Sequence, residues 1–180
     1  MLQKLQRAVQ GVPPRMRASR LLDYVLILIL KGENGKCIQL IQEHLESINN
    51  DSEINPNNHD FYKVMALAFM RQAEQGNCID NHTSQSCIIP LTGNGVHANK
   101  RPAENAKDLY ERLLIYDSTD YQSLWFYNIA HMARGTYPDE VNPAFLIAPE
   151  LFESDIEFPT FENIAPDLGV DLNNHAGGSS

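Results

Sequence analysis

An all-α fold of antiparallel helix pairs, interrupted by one long loop and followed by an irregular tail, is what this sequence predicts, on three observations. Apolar residues recur at helical spacing in five separate stretches. Small residues stand at fixed separations in successive stretches, where paired helices have to approach closely. From Tyr137 onward the helical period is lost and five prolines break the chain.

The first element is the apolar run LLDYVLILIL (21–30). A membrane span needs about twenty apolar residues; this run has ten, contains Asp23 and ends at Lys31-Gly32-Glu33. Lys4, Arg7, Arg15, Arg17 and Arg20 precede it as they would in a signal peptide. Asp23, however, interrupts the apolar part, and no small-x-small cleavage site follows. The run is read as a buried helix over 19–31, with 1–18 a basic N-terminal segment. A second helix, 35–49, carries Cys37, Ile41 and Leu45, and the polar stretch NNDSEINPNNHD then turns the chain. FYKVMALAFMRQA predicts a third helix over 59–76, with Tyr62, Met65-Ala66, Phe69 and Ala73 on its repeating positions. ENAKDLYERLLIYDSTD predicts a fourth over 103–116, and SLWFYNIAHMARG a fifth over 120–135.

This order of large, small and aromatic positions is that of tetratricopeptide-like repeats, helix pairs of about 34 residues. A generic helical bundle shares the 3.6-residue period, so spacing has to separate the two. Gly32 to Cys37 is five residues and Ala106 to Gly135 is twenty-nine, both as the repeat requires. Ala73 to Ala106 is thirty-three where five are expected, so twenty-eight residues are inserted between two helices of one repeat. The domain is therefore placed at 19–137 with its insertion at 77–102, and 138–180 is an acidic, proline-rich connector.

Charge narrows the function classes. The net charge is −9: residues 1–36 carry +5 (seven Lys/Arg, two Asp/Glu) and the remainder −14. After Arg134 nine acidic residues follow with no basic one. Phosphate-backbone binding needs clustered Lys/Arg, so nucleic acid is not expected as a partner. No cofactor is expected either.

The insertion NCIDNHTSQSCIIPLTGNGVH (77–97) holds the residues with chemical potential: Cys78, Cys87, His82 and His97. As zinc ligands they match none of the usual C-x₂₋₄-C or H-x₃₋₅-H spacings. An enzyme reading makes Cys87 a nucleophile with His82 or His97 as its base, but that needs a further group to orient the base, and none is signalled. Asn81, His82 and Pro90, with the turn glycines Gly93 and Gly95 and then His97, read equally as loop scaffold or as an interaction surface. Cys37 occupies a small-residue place and reads as a core thiol. Asn81-His82-Thr83 and Asn50-Asp51-Ser52 are glycosylation sequons, meaningful in a glycosylating host.

Four stretches, in order, resemble one family: QGNCIDNHTSQSCIIPLTGNGVH, LYERLLIYDSTDYQSLWFYNIAHMARGTYPDEV, FPTFENIAPDLGV and HAGGSS. They are similar to the exported FG-GAP/VCBS-repeat proteins of the cartilage-acidic-protein-like (ASPIC/UnbV) group that carry a tetratricopeptide-like N-terminal region. The resemblance covers roughly 60–180. Asn94 departs from it where a glycine is usual and His131 where an aromatic is usual. The resemblance implies an exported location, an oxidising compartment and a β-propeller that would begin after these residues, so no calcium site is carried over. In such a compartment Cys78 and Cys87 would close a small disulfide ring. The expected role is a non-enzymatic interaction module, whose partner is a protein or the chain's own missing propeller. FPTFENIAPDLGV would be its first strand, around Phe161–Ile164. Residues 138–152 are expected to pack on the last helix through Phe145 and Phe152, with residues from about 166 loose.

Overall fold

The computed structural model describes residues 14–48, 53–153, 156 and 164–169. Five α-helices follow one another: α1 (Pro14–Leu30), α2 (Asn34–Ser47), α3 (His59–Asp80), α4 (Arg101–Tyr116) and α5 (Tyr121–Arg134). The described residues contain no strand, so the fold is all-α. Each helix packs on the next, and α3 also packs on α1 and touches α5. The alternate helices α1, α3 and α5 thus form one layer, with α2 and α4 behind it.

Helix ends explain this chain path. Gly32 has φ +74°. There the Glu33 amide donates to Leu28 O and the Gly32 amide to Ile29 O, both at 2.9 Å. Gly135 closes α5 in the same way at φ +74°, with Thr136 N donating to His131 O (3.0 Å) and Gly135 N to Met132 O (2.9 Å). Both are left-handed caps that satisfy otherwise unpaired carbonyls. The matching position in α3 is Ala73, which cannot take that conformation cheaply. Gly76 stays helical, so α3 runs a turn past its predicted end to Asp80. Cys78 therefore lies on a helix and not in the loop where its sequence context had put it. Asp120 caps α5, accepting from Ser123 N (3.2 Å) and Ser123 Oγ (2.7 Å).

The core is continuous. Val25 and Leu28 of α1, Cys37 and Ile41 of α2, Phe61 and Met70 of α3, Leu113 of α4 and Met132 of α5 are fully buried. Burial pushes the Cys37 thiol up to about 12, so it stays protonated as a small apolar filler.

After α5 the chain turns back along that helix in two short 3₁₀ turns, Pro143–Phe145 and Pro149–Phe152. Asn128, fully buried on α5, holds it: Nδ2 donates to Phe145 O (2.8 Å) and Oδ1 accepts from Ile147 N (3.0 Å). Tyr137 Oη donates to Ile147 O at 2.6 Å. Phe145 meets Tyr127 edge-on at 6.1 Å, and Phe152 lies 5.9 Å from Trp125. The expected anchors, Phe145 and Phe152, are the ones used. Ile164 to Gly169 form exposed turns apart from half-buried Ala165. Phe158, Phe161 and most of the proposed strand lie outside the described residues, as do 1–13 and His175.

Candidate functional site

Two concave features lie on opposite parts of the helical layer. The first is roofed by the insertion. Asn77, buried on the last turn of α3, ties that insertion down: its Oδ1 accepts from Ala98 N (3.3 Å) and from Asn81 Nδ2 (3.4 Å). His97 N donates to Ala133 O at the end of α5 (2.9 Å). Inside the loop, Thr83 Oγ1 donates to Asn94 O (3.1 Å), Asn94 N donates to Gln85 Oε1 (2.9 Å), and Thr83 N donates to Ser86 Oγ (2.9 Å). Gly95 is buried here, and a Cβ on it would stand 2.6 Å from Gln85 O. Backbone satisfied in this way gives a long loop one conformation.

Under this roof lies a half-open cavity of about 520 Å³. Met70, Asn77 and Cys78 of α3 form its floor, Cys87 and Leu91 its roof, and Ile129 of α5 one end. Asn34 and Gln75 line it where α1 turns into α2, and Asn34 Nδ2 donates to Gln75 Oε1 (3.0 Å). Arg71 and Glu74 pair with each other at 3.0 Å in the same lining.

The insertion residues singled out by sequence divide here. Cys78, Cys87 and His97 line the cavity together. His82 is exposed and outside its lining, so the two proposed bases for Cys87 are separated. Asn81 ends α3, Gly93 (φ +51°) opens the turn that Gly95 closes, and half-buried Pro90 follows a cis peptide bond. Cys78 and Cys87 are both exposed free thiols, so the ring implied by the family resemblance is not formed in this structure. Although exposed, Cys78 is partly desolvated where it sits on α3, which raises its thiol, and the neighbouring Cys87 and Glu74 raise it further against the pull of Arg71. His97 is lowered by burial and is neutral. Among the described residues no three His, Cys, Asp or Glu side chains converge on a metal-binding point.

Composition-based reading missed Asn34, Gln75, Asn77 and Asn128. Asn77 did carry a signal: it continues the buried stripe Ala66-Met70-Ala73, where an apolar residue is the norm. Asn128 likewise fills the small place of a large-small pair.

The second feature is a shallower groove of about 290 Å³ along the α1/α3/α5 layer. Leu22 and Leu26 of α1, Val64 and Leu67 of α3 and Phe126 of α5 line it. Lys63, at its edge, pairs with Asp120 at 2.8 Å. Burial alone would raise the Asp120 carboxyl, but the Lys63 ammonium and Ser123 donors outweigh it and hold the group below its usual value. No described helix is long and apolar enough to cross a membrane.

No protein-family model matches the chain, and comparison with curated proteins and with solved structures gave no match. A functional reading therefore rests on the residues and their geometry.

Proposed function

We propose that this chain is a non-enzymatic interaction module of the tetratricopeptide-like type, which binds a polypeptide along its α1/α3/α5 groove. The partner is a separate protein or a further part of the same polypeptide, a propeller within an exported protein as the family resemblance implies. The observation that carries this reading is the apolar groove itself, lined by α1, α3 and α5 and by Tyr110 of α4, whose two charged lining residues both have partners: Lys63 pairs with Asp120, and Asp60 lies 3.0 Å from the His59 ring. Helical-repeat modules recognise partners through such extended concave faces. The chain's own segment 142–152 supports it as well: α5 already holds a non-helical stretch of chain, two short 3₁₀ turns and the link between them, through a buried amide and aromatic anchors.

Selection of displayed peptides against the chain tests this. Enriched peptides should bind at least tenfold more weakly to Val64→Asp, a loss of about 1.4 kcal/mol, and equally well to Ile79→Asp, whose side chain is exposed outside the groove lining. Peptides that ignore Val64→Asp would remove the proposal.

A further inference from the structure

Helix α5 carries a further surface that lines neither the groove nor the cavity. Tyr121 and Trp125, four residues apart, stand on one face of this helix and are 76 % and 40 % exposed. The segment that follows α5 brings more apolar surface to the same place. Phe152 lies 5.9 Å from Trp125, Tyr137 meets Phe152 edge-on at 6.0 Å, and Leu151, next in the chain to Phe152, is 75 % exposed. A lone apolar residue on a surface needs no explanation. A cluster of them rimmed by charge marks an interaction face.

The charge around this cluster selects the partner. Glu150 lies close enough to Tyr137 for its carboxylate to raise that phenol, in addition to the larger effect of burial. Asp139, Glu140 and Glu153 are exposed as well, and none of the four forms an ion pair among the described residues. The basic side chains at the two ends of α5 do not offset them, because Lys63 pairs with Asp120 and Arg134 with Glu104. After Arg134 the sequence holds no Lys or Arg at all. An anionic ligand would meet only like charge here. A cation gains twice, from the negative faces of the rings and from the carboxylates. Arginine suits this pairing better than lysine: its guanidinium is planar, stacks on aromatic rings, meets a carboxylate through two N–H groups and is weakly hydrated. Tyr121 and Leu151 add apolar area for residues on either side of such a cation, which favours a peptide over a free small cation.

We propose that the surface formed by Tyr121, Trp125 and Leu151 binds an arginine-bearing segment of a partner protein, with the guanidinium stacked on Trp125 and paired with Glu150. This site is separate from the groove, and either can exist without the other.

The test uses the full 180-residue chain, in which Trp125 is the single tryptophan, so its emission reports this site directly. The probes are peptide pools with shared random flanks and one fixed central residue: arginine, lysine, citrulline or glutamate. They are unlabelled for emission and fluorescein-labelled for anisotropy. The arginine pool should change Trp125 emission saturably and bind at least tenfold more tightly than the citrulline pool, with the lysine pool between them. Its affinity should fall as salt is raised. Glu150→Gln, at an exposed position, should weaken arginine binding at least threefold, and Glu150→Arg at least tenfold. Trp125→Ala should abolish binding by anisotropy; if it fails to fold by far-ultraviolet circular dichroism, the largely exposed Tyr121→Ala serves instead and should weaken binding at least threefold. Val64→Asp, which lies in the groove, should bind the arginine pool as the unaltered chain does, so failure of this site and failure of the groove are told apart. Equal binding of the arginine and citrulline pools, no saturable change in Trp125 emission, or indifference to both Glu150 variants would overturn the proposal. So would tight binding of the glutamate pool, or a Trp125 response to the neutral oligosaccharide cellotetraose in place of arginine.

Discussion

Single side chains carry two of the fold's least replaceable roles. Asn128 bonds Phe145 O and Ile147 N with one amide. Replacing it by leucine orphans both backbone groups, at roughly 1–3 kcal/mol each. Asn128→Leu is therefore expected to lower unfolding free energy by about 2–6 kcal/mol and to abolish amide-exchange protection at Ile147. Retained protection there would remove the clamp. His131 acts through protons. Burial first, then Arg134 and Lys107, lower its imidazole from 6.5 to about 4, and its Nδ1 bonds Thr136 Oγ1 at 2.9 Å. Between these values the unfolded chain binds the proton that the folded chain refuses. Stability is thus complete above about pH 6.5 and falls as pH drops towards 4. His97 and His44, also lowered by burial, add in the same direction. Urea midpoints at pH 7 and pH 5 should differ clearly, and the difference should shrink in His131→Phe; an equal difference in both proteins would exclude His131 as a main source.

Elements were legible where a stripe of side chains repeats, and illegible where a few polar bonds decide. All five helices were predictable, within a few residues of their ends, from apolar spacing and two terminal glycines. The exceptions have physical causes: α3 lacks a left-handed cap, and the α1 start at Pro14 reflects a residue that tolerates a first turn but leaves no periodic trace. That a long connection separates α3 from α4 could be read from the sequence, yet its conformation depends on Asn77, Thr83 and Gln85, polar residues that composition assigns to any loop. Cys78 and Cys87 were noticed; that they share a cavity with Asn34, more than forty positions away, depends on helix packing that no local pattern encodes. Two predictions belong to this element. Gly95→Ala would drive a methyl into Gln85 O, so limited proteolysis should cut within 81–100 far faster while the helices resist. Oxidised glutathione, accepting the two electrons of the thiol pair, should link Cys78 to Cys87 and leave one thiol, Cys37, that reacts after unfolding. The ten-residue ring would add about 2–3 kcal/mol. Three thiols still present after oxidation, or disulfide-linked dimers, would exclude that intramolecular link.

For the whole molecule, the layered arrangement puts the groove and the cavity on two shared helices, α3 and α5, while keeping them chemically separate. One is open and suited to backbone; the other is roofed by the insertion. The roof also bears on order in time. The α4–α5 connection spans four residues, 117–120, whereas the α3–α4 connection spans twenty, 81–100. Closing the longer one costs about 1.4 kcal/mol more in chain entropy, and local pairings form ahead of distant ones. The α4–α5 hairpin should therefore zip first during refolding, with α3 docking afterwards and the cavity completed late. Pulse-labelled refolding should show Leu113 and Met132 amides protected before those of Gly95 and His97. A nascent chain would then have its helical frame before it has its roof.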